Sequence, residues 1–181
     1  MAALRQGPNL RRLLCRARLS PMPSLRTTRA SRNIPGWRNC AGNKKQCPVC
    51  PYTLEPTDQV VGQVTGYCHN IKDNLNCQDK NVVYYWRCIK DKCPEFPRCE
   101  YIGKSIRSFQ ERMAEHRDYA KRGILTEPAG DHFNTPGHSV SDLRGCILEK
   151  VKSRDKFVLA SREHFYIQKF DTYRNGLNKE S

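Results

Sequence analysis

Cys47-Pro48-Val49-Cys50 sets two thiols two residues apart, a spacing that lets both sulfurs reach one ion. The pair belongs to a wider pattern, because the 181 residues carry ten cysteines. Cys40, Cys47, Cys50, Cys68 and Cys77 fall within residues 39–80, a stretch with few large apolar side chains. Such a stretch cannot bury a core of its own and would need a metal to fold. The N-terminus has only Leu13-Leu14 as an apolar pair among arginines, which is no signal-peptide core. With lysines around the CxxC spacing, zinc is favoured over disulfides. Cys40 before the knuckle, and Cys77 or Cys68 after it, complete a four-ligand set, whereas Cys15 and Cys146 read as unpaired structural residues.

Charge narrows the partner. The net charge is +14, and no Asp or Glu occurs from Met1 to Leu54, where nine arginines from Arg5 to Arg38 punctuate the chain. A polyanion is the natural partner of that composition. An acid-free, Arg- and Ser-containing N-terminus is the composition of a mitochondrial transit peptide, and equally of a phosphate-binding arm. Pro21, Pro23 and Pro35 argue against a long helix, so residues 19–38 read as linker. No apolar run approaches the roughly 20 residues needed to span a bilayer, which argues against a membrane protein.

From Asn81 the pattern becomes that of an α/β domain. Val82-Val83-Tyr84-Tyr85-Trp86 is a β-branched and aromatic run, hence a strand. Cys99-Glu100-Tyr101-Ile102-Gly103 follows a Pro- and Cys-bearing turn as its hairpin partner. Ser108 caps a helix running to about Arg122, with Glu111 at the third position of a capping box. Leu143–Val151 alternates as a third strand. Phe157–Phe170 repeats apolar residues at helical spacing, and Asn175-Gly176 makes a closing turn. The expected order is β-β-α-β-α.

Val82-Val83-Tyr84 followed by Tyr101-Ile102-Gly103 resembles the paired motifs that name the GIY-YIG nucleases. The match continues through Arg112, His116, Glu163 and Gly176-Leu177-Asn178. Gly-Ile of the first motif is Val82-Val83 here, a substitution acceptable in a strand. The cysteines between the tyrosine motifs, the His132-Phe133-Asn134 and Gly137-His138-Ser139 block, and Asp142-Leu143 narrow the match. Together they resemble the endonuclease domain of Penelope-like retroelements, over nearly everything from Cys40 onward. Pro8-Asn9-Leu10-Arg11 through Leu19 resembles the segment joining reverse transcriptase to that endonuclease. The implied fold is a small mixed three-stranded sheet flanked by helices, with an N-terminal cysteine-rich zinc-binding module.

Each residue has a physical reason beside the resemblance. Arg112 and His116, four apart, share a helix face. A cation there can stabilise the charge of a pentavalent phosphorus, and a histidine can move a proton. The ordinary reading of Glu111, Arg112, Glu115 and Arg117 is a solvated face, and only the neighbouring motifs overturn it. Glu163 lies on a stripe with Leu159, Tyr166 and Phe170, where a carboxylate costs several kcal/mol unless paired or bound to metal. An arginine partner such as Arg112 or Arg162 would satisfy it. The resemblance instead makes Glu163 the single protein ligand of Mg²⁺, or Mn²⁺ in its place, whose habit is one carboxylate plus waters and phosphate oxygens. Tyr84 and Tyr101 can be plain cross-strand aromatics. In the family they line the active site, and Tyr84 resembles the residue that activates the attacking water. With an ordinary pKa of about 10, it needs a nearby cation or metal-bound water to act as a base at neutral pH. Gly103 leaves room for a phosphate beside the backbone, with Lys104 and Arg107 as substrate-binding cations. Asn178 either positions the site or is a turn residue.

The family also has a Cys-Cys-His-His motif in this region. By that resemblance, Cys88, one of Cys93 or Cys99, and His132 and His138 hold a second structural Zn²⁺.

The expectation is therefore a metal-dependent endonuclease that nicks one DNA strand by hydrolysis, without a small-molecule substrate. In a retroelement the nick supplies a 3′-hydroxyl primer, which admits retroelement RNA as a further partner. A nuclear location follows, or a mitochondrial one if residues 1–35 are an import signal. The chain has no Asp-Asp pair of a polymerase, so it reads as a fragment of an element, a truncated product or a domain reused by a host. Two alternatives stand beside the enzyme: a non-catalytic nucleic-acid-binding remnant, and a mitochondrial nuclease. Three segments are expected: a basic arm (1–38), a zinc-knuckle module (39–80) and a nuclease domain (81–181).

Overall fold

In the computed structural model, which describes residues 35–40, 47–153 and 155–179, the chain opens on two short strand pairs. β1 (Gly36–Trp37) runs parallel to β4 (Asn74–Leu75), and β2 (Gln59–Val61) is antiparallel to β3 (Cys68–Asn70). Trp37, expected in the linker, is fully buried. Its ring meets Phe109 edge-on at 5.2 Å, and its indole N–H donates to the Leu54 carbonyl at 3.1 Å. One large aromatic in a short polar segment removes enough apolar surface from water to anchor it. Residues 1–34 of the expected arm, including Cys15 and the stretch from Pro8 to Leu19, lie outside the described residues.

β5 (Lys80–Cys88) and β6 (Glu100–Ser108) form the expected hairpin, and β7 (Leu143–Lys150) adds to the other side of β5. The sheet order is β6-β5-β7, and both pairings are antiparallel rather than mixed. The reason lies in the connections: a turn reverses β5 into β6, and the helical excursion before β7 brings the chain back opposite to β5. β5 is central and covered on both faces, with Val82 through Trp86 all buried. That is why its sequence is a continuous apolar run rather than an alternation. The sheet's free edges are closed without further strands. The Leu54 amide donates to the Gly145 carbonyl of β7 at 2.9 Å, and the Leu177 amide to the Glu100 carbonyl of β6 at 2.9 Å.

Three helices cover the sheet. α1 (Phe109–Arg122) starts at Ser108 with the capping box to Glu111 and ends at Gly123 in the left-handed conformation (φ 65°). α2 (Pro128–Phe133) is a short helix that the sequence pattern did not announce. α3 (Lys156–Phe170) is capped by Asp155, whose carboxylate accepts from the Phe157 amide at 2.8 Å. The described residues from Pro35 onward form one compact unit. Val49, Leu75 and Cys77 of the cysteine-rich stretch thus share a core with Tyr84, Phe109 and Phe170 of the later one.

Candidate active site and cysteine clusters

Register brings the tyrosine motifs together. Tyr84 lies opposite Gly103, and Trp86 opposite Tyr101, across β5 and β6. A Cβ on Gly103 would fall 2.6 Å from Tyr84 Cζ and 2.7 Å from Tyr101 Cε1. The space that glycine leaves is therefore filled by tyrosine, not by an open path to the backbone. α1 then lays Arg112 and His116 over the pair. Tyr84 Oη is 2.8 Å from His116 Nε2 and accepts from Arg112 Nε at 3.0 Å. With Arg112 donating to that oxygen, the phenol proton is free to point at His116 Nε2. In that tautomer the proton of His116 sits on Nδ1, which is buried without a partner. Burial pushes His116 well below the ordinary histidine range, and the Arg112 charge adds to the shift. Burial also pushes Tyr84 well above its ordinary range, with Tyr101 and Glu163 adding and Arg112 opposing. At neutral pH both groups are neutral, and the phenol is hydrogen-bonded to the unprotonated nitrogen of the imidazole.

Tyr84 is fully buried, whereas Tyr101 is half-buried and stacks on Trp86 at 5.2 Å. Outside this cluster is a cleft of about 300 Å³ lined by Lys104, Arg107, Arg112 and Lys156, with Ser105, Ile106 and Leu159 between them. Every charged residue lining it is a cation. Glu115 links two of these, taking Arg112 Nη1 at 2.8 Å and pairing with Arg107. Lys156 and Glu115 had no signal in the sequence, since charged residues on a helix are ordinary. Glu163 of α3 forms an ion pair with Lys104 of β6. It does not pair with Arg112 or Arg162, the partners its helical spacing suggested. Arg162 instead binds Glu149 through Nε at 2.9 Å and Nη2 at 2.6 Å. Asn178 binds the backbone of Ile102 twice, accepting from its amide at 3.0 Å and donating to its carbonyl at 2.8 Å. It therefore secures the strand between Tyr101 and Gly103.

The cysteines gather in two groups. Cys40, Cys47, Cys50 and Cys77 bring their sulfurs within 4.8 Å of one another, and Cys88, Cys93, His132 and His138 do the same with theirs and their ring nitrogens. Either group could hold a metal ion. All nine cysteines among the described residues are free. Cys50 Sγ and Cys77 Sγ are 3.8 Å apart, while Cys93 Sγ lies 3.2 Å from His138 Nε2 and 3.8 Å from His132 Nε2. Two open choices are thereby decided by placement. Cys77 joins the first group while Cys68 lies exposed on β3, and Cys93 joins the second. Cys99, taken as an alternative ligand, is not one of the four gathered donors; its thiol donates to Gln63 Oε1 at 3.2 Å. Burial, then His138, lowers His132 to about 4, so its ring is neutral and its Nε2 lone pair can serve as a donor to metal.

No known family model matches the chain, and no solved structure gives a significant match. Among curated proteins, envelope glycoprotein B of herpes simplex virus type 2 (strain SA8) is 25% identical over 158 residues. That alignment covers 73% of this chain and 18% of the glycoprotein, so the chain spans less than a fifth of that protein's length. A likeness of that extent does not place the chain in a family.

Proposed function

We propose that the chain is a metal-dependent endonuclease of the GIY-YIG kind that nicks DNA, as in Penelope-like retroelements. The observation that carries the reading is the Tyr84–His116–Arg112 network set behind a cleft lined only by cations among its charged residues. A phosphodiester fits such a cleft: Lys104, Arg107 and Lys156 would hold flanking phosphates, and Arg112 the group that gains charge in the transition state. His116, neutral and in contact with the phenol, is placed to take the Tyr84 proton as that phenol takes one from water. Mg²⁺, which needs few protein ligands, would be held by Glu163 in exchange for Lys104 and would supply charge neutralisation at the phosphate.

Zinc fits both cysteine groups. Tetrahedral zinc with sulfur at about 2.3 Å places two sulfurs about 3.8 Å apart, the separation of Cys50 and Cys77. Sulfur–nitrogen edges of such a tetrahedron are about 3.6 Å, between the two Cys93–histidine distances. A nuclear location and a retroelement RNA partner accompany the retroelement reading.

A non-catalytic DNA-binding module is the rival, favoured by the complete burial of Tyr84 and by the Lys104–Glu163 ion pair. Supercoiled plasmid separates the two. With Mg²⁺ or Mn²⁺ the purified chain is expected to give relaxed circles. Glu163→Gln should abolish this while its affinity for the plasmid stays within about twofold. Plasmid bound tightly but never relaxed, with either metal, would establish the binding module instead.

A further inference from the structure

We infer that the ion held by Cys40, Cys47, Cys50 and Cys77 positions α1, the helix carrying Arg112 and His116. The inference rests on the nuclease reading only for the consequence in catalysis; the mechanical part stands on the backbone.

A helix leaves its first amides without partners inside the helix. In α1 two of these amides end on the cysteine-rich stretch. The Phe109 amide donates to the Asp79 carbonyl at 3.0 Å, and the Gln110 amide to the Cys77 carbonyl at 2.8 Å. Cys77 is itself one of the four clustered cysteines and is fully buried. Two turns further on, Arg117 Nη1 donates at 2.7 Å to the carbonyl of Pro48, which lies inside the Cys47–Cys50 knuckle. The Arg117 guanidinium also lies 3.9 Å from the centre of the Tyr52 ring, just past the knuckle. The helix is thus gripped at 109–110 by one arm of the cluster and at 117 by the other. Arg112 and His116 fall between the grips.

An ion on the four sulfurs joins the two arms. Without it the Cys77 arm and the knuckle can separate, and each takes its grip on α1 with it. The Tyr84 contacts of Arg112 and His116, at 3.0 and 2.8 Å, would not survive a movement of 1 Å. A displacement of that size at a reacting centre costs on the order of a hundredfold in rate. Arg117 is accordingly a positioning residue.

The test uses the full chain with three substitutions. Cys50→Ala removes one sulfur, Cys50→His keeps four donors, and Arg117→Ala cuts one grip with every ligand in place. Zinc content, hydrogen exchange of individual amides, plasmid affinity and nicking at saturating plasmid are measured for each. Cys50→Ala should lose about one zinc per chain, and the Phe109 and Gln110 amides should exchange at least tenfold faster. The Tyr85 amide in the sheet should change by less than threefold. Nicking should fall tenfold or more with affinity within twofold, and Cys50→His should restore both rate and protection. Arg117→Ala should keep its zinc and nick several-fold more slowly.

Protected α1 amides in the zinc-depleted Cys50→Ala chain would overturn the inference. So would exchange accelerated equally throughout the sheet, because the ion would then hold the whole core rather than this helix. Parent-like nicking by Arg117→Ala would overturn the second grip. If the parent does not nick at all, the nuclease reading fails while the exchange result still decides the inference.

Discussion

Glu163 and His116 show how differently two polar residues on apolar faces are resolved. Glu163, on a stripe of otherwise buried side chains, finds a counter-charge in Lys104 one element away. His116 has no counter-charge; it is buried among Tyr84, Trp86 and Tyr101 and kept neutral by desolvation and by the Arg112 cation. That neutrality has a pH signature. A folded-state pKa below the unfolded value of about 6.5 means that the unfolded chain takes up the proton first on acidification. The fold therefore keeps its full stability above about pH 6.5. It loses stability as the pH falls below that value, by up to about 1.4 kcal/mol per pH unit from this group. His116→Gln, which keeps a hydrogen-bonding group and cannot be protonated, should flatten the acid-side fall of the melting temperature. His69, also pushed down by burial, contributes its own slope to both proteins, so the difference between them isolates His116. Identical slopes would mean that His116 is accessible to protons in the folded chain.

At the scale of elements, β6 shows how a strand can be fixed from both sides. Across the sheet it pairs with β5, and on its outer edge Asn178 occupies the Ile102 amide and carbonyl. The glycine in this strand answers to packing, since the Tyr84 ring and hydroxyl occupy the volume of any Cβ. Gly103→Ala must displace the Tyr84 ring, at a cost of about 1–3 kcal/mol for an overpacked core. The expected outcome is a lower melting temperature together with loss of nicking, as the phenol leaves His116. An alanine variant with unchanged stability and unchanged nicking would show that the tyrosine can move freely, and the network would then carry no function.

Across the whole molecule, the cysteine-rich stretch and the α/β part depend on each other through Trp37. Removing that side chain by Trp37→Ala should cost about 3–5 kcal/mol, the usual cost for a buried tryptophan. A chain beginning at Asn39 should be destabilised in the same way, and one beginning at Pro35 should not, which thermal unfolding of the three proteins will distinguish. The shorter deletion also addresses charge. Residues 1–34 hold eight arginines, and every phosphate that such a deletion leaves without its cation reduces the slope of log affinity against log salt by about 0.9 on duplex DNA. A slope lower by several units, with nicking at saturation retained, is expected for the chain beginning at Pro35. Equal slopes would show that these arginines do not touch DNA.

What the sequence by itself determined is local. The run from Val82 to Trp86, the Ser108–Glu111 cap, the helical spacing to Phe170 and the two-residue gap of Cys47 and Cys50 each follow from neighbours within a few positions, where period, cap chemistry and reach decide the outcome. The pairing of Glu163 with Lys104, the choice of Cys77 over Cys68 and of Cys93 over Cys99, and the burial of Trp37 were decided only by the tertiary structure. So were the antiparallel return of β7 and the grip of the cysteine cluster on α1. Each of these joins residues tens of positions apart. Several chemically equivalent partners compete for such a place, and only the packing of the elements brings one of them within bonding distance.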